Sequence, residues 1–369
     1  MSRNLEIVLK TTITLVDQFL SILSSAQTNS KPTTGGKDNE LDPLQLLSAS
    51  GTALKSHVTK LSLLTITAPF TPSAVATPLS AFNESVLPSL ITATLLVTPE
   101  THTKAFQTEV HLLTGTALKE LSVLVKEVQI VSGSKTDEKP LEQSEKDTVT
   151  IAAGRVWDAC DVLIDIANKG VVGFMVRRAE EYRDLVRDAV EEIEGWDPDE
   201  GDEFFDDLLD GDENEAGESS DDDSDGEDKQ SAALLERKKD ALRILKPIAQ
   251  IYPGIINNRL IKAPISLRAS NITTLELLMK NLQQIPGHID EVAGALYEAD
   301  LDKCLRQLVM TKGCACTAID LVVLPWEANR DSGDQEDAGD KFTTWSNTWI
   351  KVVEGVSSSI DNPPNSTSG

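Results

Sequence analysis

Four histidines, His57, His102, His111 and His288, are the side chains of this chain best suited to acid–base work near neutral pH, and they fall on four separate segments. No nucleophile elbow and no zinc-binding helix motif accompanies them. Gly133-Ser134-Lys135-Thr136 resembles the end of a phosphate loop, but serine rather than glycine precedes the lysine, and apolar helix stands where the loop's first glycine belongs. Cys314-Ala315-Cys316 offers two thiols, yet side chains two apart on a helix diverge by about 200° and cannot share one ion. With Cys160 and Cys304 they read as buried packing residues. Asp158 and Asp161 are one turn apart in Gly154-Arg155-Val156-Trp157-Asp158-Ala159-Cys160-Asp161, without the histidine, metal motif or glycine-rich loop that would make them an acid–base pair. The same segment reads as a packing motif: Trp157 and Cys160 on a helix seam, Gly154 admitting a neighbouring helix, Asp161 facing water. These residues predict no catalytic centre, no cofactor and no metal site.

A second kind of chemistry is concentrated between Glu191 and Asp228, where 21 residues are Asp or Glu and none is Lys or Arg. The formal charge of the chain is −26, so the other 331 residues carry only −5. Trp196, Phe204, Phe205, Leu208 and Leu209 are embedded in this belt. Acidic residues interleaved with large apolar ones suit segments that dock on a partner, the charges keeping the apolar groups solvated until then. These five are the candidate partner-binding residues; the competing reading is a solvated linker. Ser219, Ser220 and Ser224 each precede an acidic residue by three positions and are candidate phosphorylation sites. The basic cluster Arg237-Lys238-Lys239 reads as the belt's counter-charge, and a strongly anionic segment disfavours direct contact with nucleic acid.

The elements around the belt are helical. Leu5, Leu9, Ile13, Val16, Leu20 and Leu23 mark one amphipathic face, Asp42-Pro43 opens a second helix that ends before Pro69, and Val110, Leu113, Ala117, Leu121, Leu124, Val128 and Val131 form a near-heptad seam. A fourth stripe runs from Ala153 through Trp157, Cys160, Ile164, Ala167, Val171 and Phe174 to Ile193, a helix approaching ~60 Å that Gly170 and Gly173 are placed to bend. After the belt, helices are expected over 235–255, with Pro247 and Pro253 as kinks, and over 273–285, 290–310, 314–326 and 342–356. No convincing strand alternation is present.

Length favours two domains, and an aromatic content of 4% suits helix-on-helix packing. The expected organisation is an N-terminal helical bundle over 1–195 with a flexible loop at 27–40, an acidic disordered linker over 196–230, a C-terminal helical domain over 231–358 and a disordered tail over 359–369. No run, including Leu87–Val97, reaches the ~20 apolar residues a bilayer requires, so no membrane contact is expected. Four cysteines without a signal peptide suit a reducing compartment.

Three stretches, in this order and separation, give the chain a family likeness: Gly154 to Asp161; Glu191-Glu192-Ile193-Glu194 leading to Phe205-Asp206-Asp207-Leu208-Leu209; and Ala293-Gly294-Ala295-Leu296-Tyr297. Over roughly 41–326 the chain resembles the cyclin-D1-binding protein 1-like family of Grap2- and cyclin-D-interacting proteins, departing from it after Tyr297, where Glu298 and Ala299 replace proline. The resemblance implies a two-domain all-α protein whose N-terminal bundle is similar to vinculin and α-catenin modules. It also implies a non-enzymatic regulator of cell-cycle progression in nucleus and cytoplasm, with partners of the cyclin or transcription-factor class. Two rival readings are an acidic chaperone for basic proteins such as histones and a vinculin-like cytoskeletal bundle.

Overall fold

The computed structural model describes residues 2–26, 42–134, 141–198, 224–264, 267–326 and 339–361. These residues are overwhelmingly helical, with no strand among them. The protein is all-α and divides into two compact units, Met1–Phe174 and Met175–Gly369.

Unit 1 is built from α1 (Arg3–Ala26), α2 (Pro43–Ile66), α3 (Pro72–Ala81), α4 (Leu87–Leu96), the single turn α5 (Pro99–His102), α6 (Lys104–Ser134) and the first arm of α7 (Gln143–Gly195). The expected stripes face the core: Leu5, Leu9, Val16 and Leu23 of α1, and Val110, Ala117, Leu121, Leu124, Val128 and Val131 of α6, are buried. At the start of α2, Asp42 accepts the Leu44 amide hydrogen at 2.9 Å and Pro43 takes the first turn, where its missing donor costs nothing. The prolines after α2 do not mark a long loop. Pro72 starts α3, and a π-helical turn, Phe82–Val86, joins α3 to α4. Repeated Ser, Thr and Pro obscured these helices in the sequence, although Leu79, Phe82, Leu87 and Leu90 supply a fully buried face.

Two stretches, Arg3–Ser25 and Pro72–Leu96, are long and apolar enough by composition to cross a membrane, although neither is an uninterrupted apolar run. The second consists of three helical pieces; Leu79, Phe82, Leu87 and Leu90 belong to the core face just named, whereas Leu95 and Leu96 are exposed.

α7 breaks at Gly170, whose φ of 63° and ψ of −166° lie outside any helical region and in territory that essentially only glycine occupies. Gly173, the other expected bend, keeps helical geometry. The chain passes from unit 1 to unit 2 just after this break, inside α7, whereas the sequence placed the boundary after residue 195. The second arm of α7 belongs to unit 2, held there by polar contacts of Glu192 and Glu194.

Unit 2 continues with α8 (Ser224–Ala249), the short α9 (Ile251–Ile255), a second π-helical turn (Ile256–Leu260), α10 (Ala269–Tyr297), α11 (Leu301–Val322) and α12 (Lys341–Asp361). α10 and α11 form an antiparallel hairpin, stitched where His288 Nδ1 lies 3.0 Å from Gln307 Oε1 and Cys314 Sγ donates to Gln284 Oε1 at 3.5 Å. The expected break near Pro286 does not occur. Proline cannot donate to the carbonyl four residues back, and that carbonyl, Leu282 O, is taken instead by the buried Tyr252 hydroxyl at 2.8 Å. The real break comes at residues 298–300. Asp300 N donates to Ala295 O and Ala299 N to Leu296 O, the paired closing bonds of a helix end, with Ala299 at φ 55°. Asp300 then caps α11 by accepting from Lys303 N at 2.8 Å.

The second π-helical turn presents Arg259, which is 1% exposed. Its guanidinium donates to Val322 O at 2.6 Å, Val323 O at 2.7 Å and both oxygens of Asp340 at 2.8 and 2.9 Å, and it stacks 4.4 Å above the Phe342 ring. One buried cation thus satisfies carbonyls at the end of α11 and holds the start of α12 beside them. Trp345 of α12 lies against Gly254, where a Cβ would sit 3.1 Å from its ring.

Candidate interaction site

The second arm of α7 ends where the acidic belt begins, and there the structure joins two stretches far apart in sequence. Tyr297 donates its phenol hydrogen to Glu192 Oε1 at 2.8 Å. The Trp196 ring meets the Tyr297 ring edge-on, with centroids 5.1 Å apart and planes at 64°. Lys238 of α8 donates to the Trp196 carbonyl, and Lys246 pairs with Glu194 at 2.6 Å. Lys238 of the basic cluster thus meets a backbone carbonyl, and the pairing with a belt carboxylate is made by Lys246, outside the cluster.

The electrostatics of this corner follow from its carboxylates. Burial, the hydrogen bond to Glu192 and the Glu192 charge together push the Tyr297 phenol up to about 12. Burial first, then Glu192 and Glu291, raise the Asp290 carboxyl above its ordinary value. Tyr297 remains 43% exposed and Trp196 half-buried, so the corner is anchored yet offers aromatic surface to solvent. Of the five belt residues proposed for partner contact, only Trp196 is placed; Phe204, Phe205, Leu208 and Leu209 lie outside the described residues, as do Ser219 and Ser220, and Ser224 begins α8. The signal that could have found the corner was Ala293 to Tyr297, whose last side chain meets the hinge.

The segment Gly154 to Asp161 lies elsewhere, on the first arm of α7. Cys160 is fully buried, and burial together with the neighbouring Asp161 charge pushes its thiol up to about 12, so it is not the thiolate a nucleophile requires. Burial likewise takes Cys304 up to about 11. Trp157 is half-buried, its indole nitrogen without a hydrogen-bond partner among the described residues. Asp161 is exposed but not merely solvated: Lys55 of α2 reaches it at 2.5 Å. The close helix approach assigned to Gly154 is corrected by the geometry, since a Cβ there would meet nothing within 4 Å. It occurs instead at Gly51 of α2, where a Cβ would lie 3.0 Å from Ile164 Cγ1 and 3.9 Å from the Cys160 carbonyl. A helix seam in sequence tells which face is buried, not which partner supplies the small residue.

The histidines stay apart, on α2, α5, α6 and α10, and burial lowers the basicity of His57, His102 and His111. Among the described residues no three His, Cys, Asp or Glu side chains converge as a metal site would need.

No curated protein matches the chain. The family model described as "Grap2 and cyclin-D-interacting, N-terminal" matches residues 46–199, from α2 through both arms of α7 to the opening of the belt. It takes in Gly154–Asp161, Glu191–Glu194 and Trp196, the first two being stretches on which the likeness rests. Over these residues the chain is similar to the N-terminal domain of the Grap2 and cyclin-D-interacting family.

Proposed function

We propose that this protein is a non-enzymatic helical adaptor that regulates cell-cycle progression by binding other proteins, of the cyclin or transcription-factor class, in cytoplasm and nucleus. The observation that carries this reading is the match of residues 46–199 to a family model, that of a family named for what its members bind. The raised thiols and scattered histidines agree with a role in binding rather than catalysis. Phe204, Phe205, Leu208 and Leu209, which follow the Trp196–Tyr297 corner in sequence, are the proposed contact residues.

The 21 carboxylates between Glu191 and Asp228 favour one rival, an acidic chaperone for basic proteins such as histones. Affinity purification of the tagged full-length chain, beside a deletion of 199–223 that spares the anchored Trp196, separates the two. Recovery of a cyclin, kinase or transcription factor that survives high salt supports the adaptor. Recovery of histones that is lost at high salt replaces it with the chaperone, because a contact made by exposed charge alone is screened.

A further inference from the structure

Unit 1 carries an apolar groove of about 360 Å³ between α2 and α3, lined by His57, Lys60, Leu63, Leu64, Thr77 and Pro78. It exists because α2 is apolar on more than one face. Leu47, Leu54, Val58 and Leu61 fill the core, yet Leu63 and Leu64, in the last turn, are 55% and 36% exposed. A helix apolar all round is normally covered all round, and among the described residues this end of α2 is not.

The charge among the residues lining the groove is the reverse of the chain's: Lys60 is present and no carboxylate. From Pro43 to Asn83 there is no Asp or Glu, in a protein of net −26. The two lysines of α2 have different surroundings: Lys55 is engaged by Asp161, whereas Lys60 is exposed at the groove with no carboxylate partner among the described residues. His57 sets its ring edge-on to Phe82 at 6.0 Å, and its Nδ1 has no partner among the described residues.

We propose that this groove receives an amphipathic helix of a partner protein, with apolar residues at i, i+3 or i+4 and i+7 and acidic residues beside them. The inference rests on the protein-binding reading above and names a second contact surface for it. Apolar side chains spaced along one helix face would enter between Leu63, Leu64 and Pro78, and a flanking carboxylate would pair with Lys60. A partner of that charge is the one the groove attracts while the acidic belt repels it, so the two surfaces select different ligands.

The test uses the full-length protein and three fluorescein-labelled peptides: a leucine/glutamate amphipathic helix, its twin with glutamine for glutamate, and the first with its leucine spacing scrambled. Anisotropy at physiological salt is expected to show the first binding at least tenfold more tightly than the scrambled peptide. Leu63→Ser with Leu64→Ser should weaken the first and the glutamine twin at least tenfold. Lys60→Glu should weaken the first about fivefold and leave the twin unchanged. All three positions are exposed or partly so, and circular dichroism checks that the variants stay folded. Equal binding of the scrambled peptide, no binding at all, or indifference to the leucine changes overturns the proposal. A dimer in sedimentation that the leucine changes dissociate also overturns it, making a second copy the occupant. If the groove variants bind no peptide yet retain every partner in affinity purification, this inference falls and the protein-binding reading stands.

Discussion

Tyr297, the last residue of α10, donates to Glu192 near the end of α7 across 105 residues of chain, at 2.8 Å. The bond ties the opening of the acidic belt to the α10–α11 hairpin, and the Trp196 ring packs on the same phenol. Glu192→Gln should therefore move the tyrosine titration read by absorbance. The Glu192 charge favours the neutral phenol while the glutamine amide oxygen still accepts its hydrogen, so Tyr297 should titrate below 12 but above 10, because burial, the largest cause, persists. Since the folded-state value is raised, the stabilisation is complete below about pH 10 and is lost as pH rises through 12. Tyr297→Phe should cost roughly 0.5–1 kcal/mol in urea unfolding at pH 7.

Tyr252 and Pro286 should be coupled. Tyr252→Phe leaves the Leu282 carbonyl buried without a donor, at a cost of about 1–3 kcal/mol. Pro286→Ala restores the backbone N–H that reaches the same carbonyl. In the double variant the loss from Tyr252→Phe should shrink by about 1 kcal/mol, a coupling measured by a denaturation cycle. Additive losses would mean that the hydroxyl does not stand in for the missing amide.

Arg259 and Asp340 should set the acid limit of unit 2. The Arg259 hydrogen bond, aided by the Thr343 amide, holds the Asp340 carboxyl far below the usual carboxylate range. A depressed carboxyl stabilises the fold above its unfolded value near 3.8, and that contribution fades as pH falls toward the folded value. Asp340→Asn should thus cost about 1–2 kcal/mol at pH 7, discounted because the carboxylate is 41% exposed, and progressively less below pH 4 in thermal unfolding. Arg259→Met should cost more, about 3–5 kcal/mol, because it strands the Val322 carbonyl and leaves Asp340 without its cation, although the Val323 carbonyl keeps the Thr343 hydroxyl.

The glycines of α7 should respond in opposite directions. Gly170→Ala forces a side chain into backbone territory reserved for glycine and should cost about 1–3 kcal/mol. Gly154→Ala sits in regular helix with open space around it and should gain about 0.5–1 kcal/mol. Chemical denaturation of the two variants side by side measures both, and a destabilising Gly154→Ala would restore the close approach that the structure locates at Gly51.

Much of the helical architecture was legible in the chain because it depends on local order. The α6 seam from Val110 to Val131 and the α7 stripe from Ala153 to Ile193 repeat at the helical period, and an apolar stripe of that period is buried whatever covers it. Gly170 was legible as a bend because only glycine tolerates that backbone. α3 and α4 were not, since prolines and hydroxyl residues weaken the periodic signal while tertiary burial of Phe82, Leu87 and Leu90 sustains the helices.

By itself the sequence determined the all-α class, the buried faces and the place of the negative charge, all properties of residues close along the chain. The tertiary structure decided what depends on partners far apart in sequence. It placed Tyr297 on Glu192, gave the Leu282 carbonyl to Tyr252 so that α10 runs through a proline, gathered Val322, Val323 and Asp340 around Arg259, and moved the close helix contact from Gly154 to Gly51. Periodicity states that a side chain is buried or a carbonyl freed; only the folded chain supplies the atom that meets it.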